Sequence, residues 1–209
     1  MSSYAETLEN DLSWREAELV SLKRLTINND NNEVVYRAML RACWALLYAH
    51  FEGFTKFTWD LLLDHIQERN IKICNLSEKF KILALTEAFN GIRQNSSSEN
   101  IMSFINSVLP TLMEKAARFD NAKLETSSNL WPNVFREECE KIGIRSEELE
   151  NNTVRIKALV SRRNDIAHGK KMIIRSINEY NEYERATLLV MHDLAVNIIE
   201  IIESSKFKI

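Results

Sequence analysis

Apolar residues recur every three to four positions over most of the chain, which is the spacing of one face of an α-helix. The pattern predicts helices over residues 5–27 and 33–69, separated by an asparagine-rich breaker at 28–32. Asparagine and aspartate side chains satisfy nearby backbone groups in turns, so the breaker predicts a tight connection. On the second helix the apolar residues at this spacing are Val35, Met39, Ala42, Leu46, Ala49, Phe57, Leu61 and Ile66, with Gly53 as a candidate bend.

The second half of the chain shows the same periodicity. It predicts helices over 77–89, over 99–119 with an interruption near Pro110, and over 132–141, with a loop at 121–132. It also predicts a helix at about 153–168, begun by Thr153 and ended by Gly169, and a closing helix at about 178–204. Only 4 Gly and 2 Pro occur, too few for the turns of a many-stranded sheet. We therefore predict one all-α domain over 1–209, a helical bundle with long antiparallel helices.

The composition is that of a globular protein, with 45% hydrophobic and 27% charged residues. No apolar run approaches the roughly 18 residues of a membrane span, and the polar N-terminus has no signal-peptide core, so we expect a cytoplasmic protein that does not cross a membrane. The three cysteines form no Cys-x-x-Cys and no Cys/His cluster with zinc-ligand spacing. We therefore predict neither a metal site nor a cofactor.

Positive charge is gathered in one segment of an otherwise acidic chain. The formal net charge is −3, yet residues 153–175 carry seven lysines and arginines against one aspartate. Such a concentration of charge is typical of a phosphate-binding surface, although a solvated basic face without a ligand would show the same composition. The predicted phosphate contacts are Arg162, Lys170, Lys171 and Arg175.

The basic segment contains the string Arg163-Asn164-Asp165-Ile166-Ala167-His168-Gly169. An imidazole can move a proton near neutral pH, while a guanidinium stabilises anionic phosphate oxygens, so the pair suits phosphodiester chemistry. Asn164 and His168 are four residues apart and share a helix face. A looser pair, Arg185 and His192, lacks the polar residue after the arginine, and we interpret it as structural.

The complete string resembles the signature of the HEPN superfamily, which is all-helical and includes ribonucleases with an arginine, a polar residue and a histidine in this order. The order of the predicted helices is also similar, and the stand-alone bacterial nucleases of toxin–antitoxin and phage-defence systems resemble it most. The resemblance implies a metal-independent endoribonuclease that leaves a 2′,3′-cyclic phosphate. Arg163, Asn164 and His168 would be its catalytic residues.

Further expectations follow from the resemblance. HEPN nucleases dimerise so that two motifs face one cleft, which implies a homodimer acting on RNA and possession of a cognate antitoxin or defence-system partner. Tyr48, His50 and Glu52 on the second helix are auxiliary candidates, because family members often place a polar residue there; packing roles on that helix are the simpler alternative.

Two other functions fit parts of the sequence. One is a non-catalytic helical module that binds partners or nucleic acid, in which the motif serves as a hydrogen-bond cluster at a dimer interface. The other is a nucleic-acid binder or a DNA-directed nuclease. The common metal-dependent route of DNA cleavage needs an acidic metal-binding constellation, which the sequence does not contain.

Overall fold

The computed structural model describes residues 3–122, 124–126 and 129–209. These residues form helices and two isolated β-bridges, with no extended strand among them, which confirms the all-α prediction. The helices are α1 (Ser3–Asn28), α2 (Glu33–Glu68), α3 (Glu78–Ala84), α4 (Thr86–Gln94), α5 (Ser98–Ser103), α6 (Leu109–Met113), α7 (Pro132–Lys141), α8 (Glu147–Ala167) and α9 (Ile177–Glu203). A single 3₁₀ turn covers Ile73–Asn75, and a π-helical turn covers Phe104–Val108.

Four long helices, α1, α2, α8 and α9, pack together as the bundle. A turn at 29–32 joins α1 to α2, and Asn32 begins α2 by accepting a hydrogen bond from the backbone N–H of Val35. The two helices are antiparallel because this turn is so short. At about 1.5 Å per residue, the 36 residues of α2 span roughly 54 Å, so this helix contacts each of the other three along its length.

The periodic apolar residues of α2 reach the core to different extents. Ile66 is buried and Leu46, Phe57 and Leu61 pack against the core, whereas Ala42 and Ala49 are exposed. Because helices cover α2 on several sides, its buried surface is wider than one three-to-four spacing and also includes Leu40, Trp44 and Leu47. The helix is also uninterrupted at Gly53, where the missing Cβ makes room for the Arg15 guanidinium of α1.

The region between α2 and α7 is more broken than predicted. The helix predicted at 77–89 is divided at Leu85 into α3 and α4. The interruption predicted near Pro110 is present as the π-helical turn before α6, which fits a proline that lacks an N–H and clashes with the preceding turn. Beyond α6 the chain is extended, not helical to residue 119, because the backbone at Lys115 and Ala117 pairs with Ile71 and Ile73.

The last two long helices place the arginine–histidine string at one end of the bundle. Helix α8 begins seven residues earlier than predicted, because Ser146, not Thr153, is the N-cap and accepts a hydrogen bond from Leu149 N–H. Its end is as predicted: Gly169 has a φ of +70°, a left-handed conformation that turns the chain away. The Trp44 indole donates to the Leu159 carbonyl at 3.0 Å and thereby ties α2 to α8 next to the motif.

Candidate active site

His168 lies at the C-terminal end of α8, where it is exposed to solvent. Its backbone N–H donates to the Asn164 carbonyl at 2.9 Å and closes the last turn of the helix. No hydrogen bond joins its imidazole to another of the described residues, in contrast to His192, whose Nε2 lies 2.7 Å from a Glu16 carboxylate oxygen. The His168 ring is therefore accessible to a large substrate.

Arg163 lies one and a half turns before His168 and is held by three neutral groups. Its guanidinium carbon lies 4.3 Å from the centre of the Tyr48 ring. Its Nη1 donates to Asn129 Oδ1 at 2.8 Å and to Asn164 Oδ1 at 3.1 Å. Stacking and amide hydrogen bonds orient a guanidinium, but none of these partners cancels its charge.

The neighbouring charges are paired differently. Arg162 forms an ion pair with Glu179 at 2.6 Å, and Lys170 forms one with Asp165 at 2.8 Å. No carboxylate oxygen of the described residues lies within 4 Å of the Arg163 guanidinium nitrogens. The half-buried Arg163 thus carries a positive charge that its immediate neighbours leave unbalanced.

Tyr48, one of the auxiliary candidates, lies directly against the motif. Its hydroxyl oxygen accepts a hydrogen bond from the backbone N–H of Leu130 at 2.8 Å. Burial raises the pKa of Tyr48 to about 12, and the nearby Glu52 carboxylate adds to the rise while Arg163 opposes it. The phenol therefore stays protonated at neutral pH and acts as a neutral platform for the guanidinium.

The other two auxiliary candidates have different surroundings. Glu52 lies one turn beyond Tyr48 and accepts a hydrogen bond from Lys56 at 2.6 Å, so it is close to the site but already paired. His50 faces α1, where its Nδ1 lies 3.4 Å from Arg15 Nη1 and its ring packs edge-on against Trp14. Burial, with a further contribution from Arg15, lowers the pKa of His50. Of the three auxiliary candidates, Tyr48 contacts Arg163, Glu52 lies beside Tyr48, and His50 faces α1.

The four predicted phosphate contacts are also in different states. Arg162 is engaged inside the protein, since it pairs with Glu179 and packs over the rings of Trp44 and Tyr183. Although burial favours its neutral form, the hydrogen bond from Arg175 N–H and the pair with Arg162 hold the pKa of Glu179 below its usual value.

The remaining three basic residues follow the motif and are exposed. Lys170 bridges to Asp165, while the side chains of Lys171 and Arg175 make no ion pair with the described residues. Exposed cations that follow the motif so closely in the chain favour anions at this end of α8.

Asn129 was not among the predicted site residues. It precedes α7 by three positions, is only 9% exposed, and supplies the shorter of the two amide contacts to Arg163. Its sequence signal is weak, because an asparagine in a polar loop is ordinarily a turn residue. Nothing local in the sequence connects it with an arginine 34 positions later.

The described residues contain no group of three or more histidine, cysteine, aspartate or glutamate side chains arranged to hold a metal ion. None of the described helices is both long and apolar enough to cross a membrane.

Comparison with known proteins identifies the family. A family model described as MAE_28990-like HEPN matches residues 4–207, a range that contains every residue of the site. No curated protein and no solved structure matches the chain. The family match confirms the resemblance drawn from the arginine–histidine string. The chain belongs to the MAE_28990-like HEPN family.

Proposed function

We propose that this protein is a metal-independent endoribonuclease. Membership of the HEPN family supports a nuclease or another RNA-related function. The observation that carries the finer proposal is the unbalanced charge of Arg163, held in a fixed position one and a half turns before the exposed His168. A fixed cation and an accessible imidazole are two of the groups that catalyse phosphodiester cleavage.

In the proposed reaction the ribose 2′-oxygen attacks the adjacent phosphorus. His168 accepts the proton of the 2′-hydroxyl as the new O–P bond forms, and the bond from phosphorus to the 5′-oxygen breaks. A second acid donates a proton to the departing 5′-oxygen, which leaves a 2′,3′-cyclic phosphate and a 5′-hydroxyl. Arg163 stabilises the charge that develops on the phosphoryl oxygens, and Asn164 orients Arg163 through its amide oxygen.

The second acid is the reason to propose a homodimer. Tyr48, with a pKa raised to about 12, is a weak acid in this setting, and His50 faces α1. The motif of a second copy would supply another histidine on the opposite side of the scissile bond. The active unit proposed here is therefore a pair of chains around one composite cleft.

Lys170, Lys171 and Arg175 are the proposed contacts for flanking phosphates, and Arg162 is left out because its guanidinium is paired internally. Contacts of this type give affinity without reading sequence, and they weaken as salt is raised. A ribonuclease of this kind inside a cell requires control. We therefore also propose a toxin or phage-defence role, with a cognate antitoxin or defence partner that restrains it.

The test is incubation of the purified protein with total RNA in the presence of EDTA. Arg163→Ala and His168→Ala are compared with wild type, and Arg185→Ala and His192→Ala are matched controls on the outside of α9. We expect cleavage by wild type and both controls, with 2′,3′-cyclic phosphate ends, and a loss of roughly 100-fold or more in the two motif variants.

Two results would contradict the proposal. Equal cleavage by all five proteins would assign the activity to a contaminant. Absence of cleavage at every concentration, with RNA or partner binding retained, would favour the non-catalytic module instead. Sedimentation of wild type at increasing concentration tests the dimer separately, and a monomer at all concentrations would reject the composite cleft.

A further inference from the structure

The hydrogen bonds of Arg163 are distributed unevenly over its guanidinium. The group has five N–H donors, two of them on Nη1. Both acceptors that the structure supplies, Asn129 Oδ1 and Asn164 Oδ1, are bound by Nη1. The Nε and Nη2 donors have no hydrogen-bond partner among the described residues. These two nitrogens form one edge of the planar group, which is the edge that binds a carboxylate or phosphate with two parallel hydrogen bonds.

Asn129 is itself fixed in position. Its backbone N–H donates to the Thr126 carbonyl at 2.6 Å, and its own carbonyl accepts from Trp131 N–H at 3.0 Å. The next residue, Leu130, is fully buried and donates its N–H to the Tyr48 hydroxyl. The phenol that stacks on Arg163 therefore also holds the short segment that carries Asn129.

The Asn129 amide and the Tyr48 ring together form a clamp on Arg163. The chemical nature of this clamp matters as much as its geometry. A carboxylate in place of the Asn129 amide would hold the guanidinium more firmly, yet it would cancel the charge that an anion requires. The amide oxygen of Asn129 and the ring of Tyr48 fix the orientation and leave the charge in place. A free arginine, by contrast, would lose rotational entropy each time it bound a substrate.

We propose that Asn129 is a positioning residue which, together with Tyr48, fixes Arg163 so that its Nε–Nη2 edge receives the phosphate oxygens of the substrate. The identity of that anion as an RNA phosphate rests on the proposed function. The positioning itself does not, since it is a property of the protein before any substrate binds.

The positioning is tested by nitrogen-15 NMR of the arginine side chains in the full-length protein. Hydrogen bonds to Nη1 slow rotation about the Nε–Cζ bond, so Arg163 of wild type should show two separate Nη signals. The signals are assigned by their loss in Arg163→Lys. We expect them to merge in Asn129→Ala and to stay separate in Asn129→Asp. Asn121→Ala, in an exposed asparagine of the same inter-helix segment that binds Glu87, is the matched control and should leave them unchanged.

The consequence for the reaction is tested by cleavage kinetics with the same variants. Misplacement of the guanidinium in Asn129→Ala should lower kcat by about 10- to 100-fold with KM within about twofold of wild type. Asn129→Asp should also lose activity, although it holds the arginine, because its carboxylate cancels the charge. A 2′-deoxy oligonucleotide, which cannot be cleaved, should shift the Nε–H signal of Arg163 in wild type.

The results test separately the positioning role of Asn129, the requirement for a neutral acceptor and the proposed ribonuclease activity. Separate Nη signals in Asn129→Ala would overturn the positioning role, whatever the activity. Full activity in Asn129→Asp would overturn the requirement for a neutral acceptor. If the signals merge in Asn129→Ala but wild type cleaves no RNA, the clamp stands and the proposed ribonuclease fails. Because Asn129→Asp has the same shape as the native residue, it remains informative if the alanine variant does not fold.

Discussion

Arg15 and Arg163 are both arginines of long helices that stack on aromatic rings, and the difference between them lies in what balances their charge. Arg15 is buried, lies over Trp14 at 4.5 Å, and forms an ion pair with Asp11 at 2.6 Å. His50 completes that cluster. The cluster is closed, because each charge has a partner inside the protein.

Arg163 has the same kind of aromatic support from Tyr48, but its hydrogen-bond acceptors are two amides. Stacking alone therefore does not separate a structural arginine from a functional one. The separating feature is the missing carboxylate, because an unpaired cation held in a partly buried position costs solvation free energy that a bound anion would restore. The following experiments test that contrast.

The largest expected difference is in catalysis, on replacement of either arginine by lysine. Arg163→Lys keeps the charge but loses the planar edge and the stack on Tyr48, so cleavage of RNA should fall roughly 100- to 1,000-fold. Arg15→Lys should leave cleavage within about twofold, because lysine can still pair with Asp11. Single-turnover rates on one RNA substrate provide the measurement, and equal losses in the two variants would remove the distinction.

The second difference is in stability and should have the opposite order. Arg15→Leu leaves Asp11 poorly solvated and without its cation, and the free energy of unfolding should fall by about 3 kcal/mol. Arg163→Leu breaks hydrogen bonds to neutral amides only, which should cost about 1 kcal/mol. Urea unfolding followed by circular dichroism measures both. A larger loss for Arg163 would mean that its environment is as closed as that of Arg15.

The third test concerns the pH dependence of the free energy of unfolding, to which the buried His65 contributes. His65 is buried between Tyr4 and Phe207, and neither ring nitrogen has a hydrogen-bond partner among the described residues. Burial, with a smaller contribution from Arg69, lowers the pKa of His65 below its usual 6.5. The unfolded chain then binds more protons than the folded one as pH falls below 6.5.

The stability from His65 is therefore fully present above about pH 6.5 and is lost as pH falls toward the folded-state pKa, with a slope of at most about 1.4 kcal/mol per pH unit. Urea unfolding between about pH 8 and pH 5 measures this slope. His65→Phe should reduce it, because the phenylalanine ring fills the same site and has no group that titrates. An unchanged slope in His65→Phe would refute the assignment.

The smallest effect concerns the space that Arg15 occupies. A Cβ added at Gly53 would lie 3.0 Å from Arg15 Nη1, which Asp11 holds in place. We expect Gly53→Ala to lower the free energy of unfolding by about 1 kcal/mol, despite the better helix propensity of alanine. Gly91→Ala is the control, because its added Cβ meets no atom within 4 Å from the described part of the chain outside its own helix turn, and it should stabilise by about 0.8 kcal/mol. Stabilisation by both would show that Arg15 moves freely.

The parts of the fold that were predicted correctly depend on local chemistry. Asn32 begins α2 through its side-chain oxygen, whereas Pro132 begins α7 and Gly169 ends α8 through the backbone properties of their residue types. The predicted start of α8 was wrong because Thr153 and Ser146 can both act as N-caps. The acidic residues directly after Ser146 favour it through the helix dipole, and that signal was in the sequence. The extended segment after α6 was not predictable, since its pairing partner near Ile71 is more than 40 residues away.

The candidate site also has features that local sequence predicts and features that depend on distant parts of the chain. The position of the motif at a helix end, with an exposed histidine, follows from local sequence. The surroundings of Tyr48 and His50 do not, because two residues along a buried helix turn a side chain from α8 to α1, and sequence cannot say which helix covers which face. Asn129 was missed for a related reason, because only the folded chain brings its loop to α8.

Gly169 also constrains how the sequence of this protein can drift. Its φ of +70° excludes most side chains by backbone strain, yet no atom of the described residues outside its own neighbours lies within 4 Å of an added Cβ. Steric crowding therefore does not limit which residue can occupy position 169. The backbone conformation alone sets that limit. A library of all residues at position 169, selected for folded protein, should retain glycine and then asparagine, and should lose valine and isoleucine first.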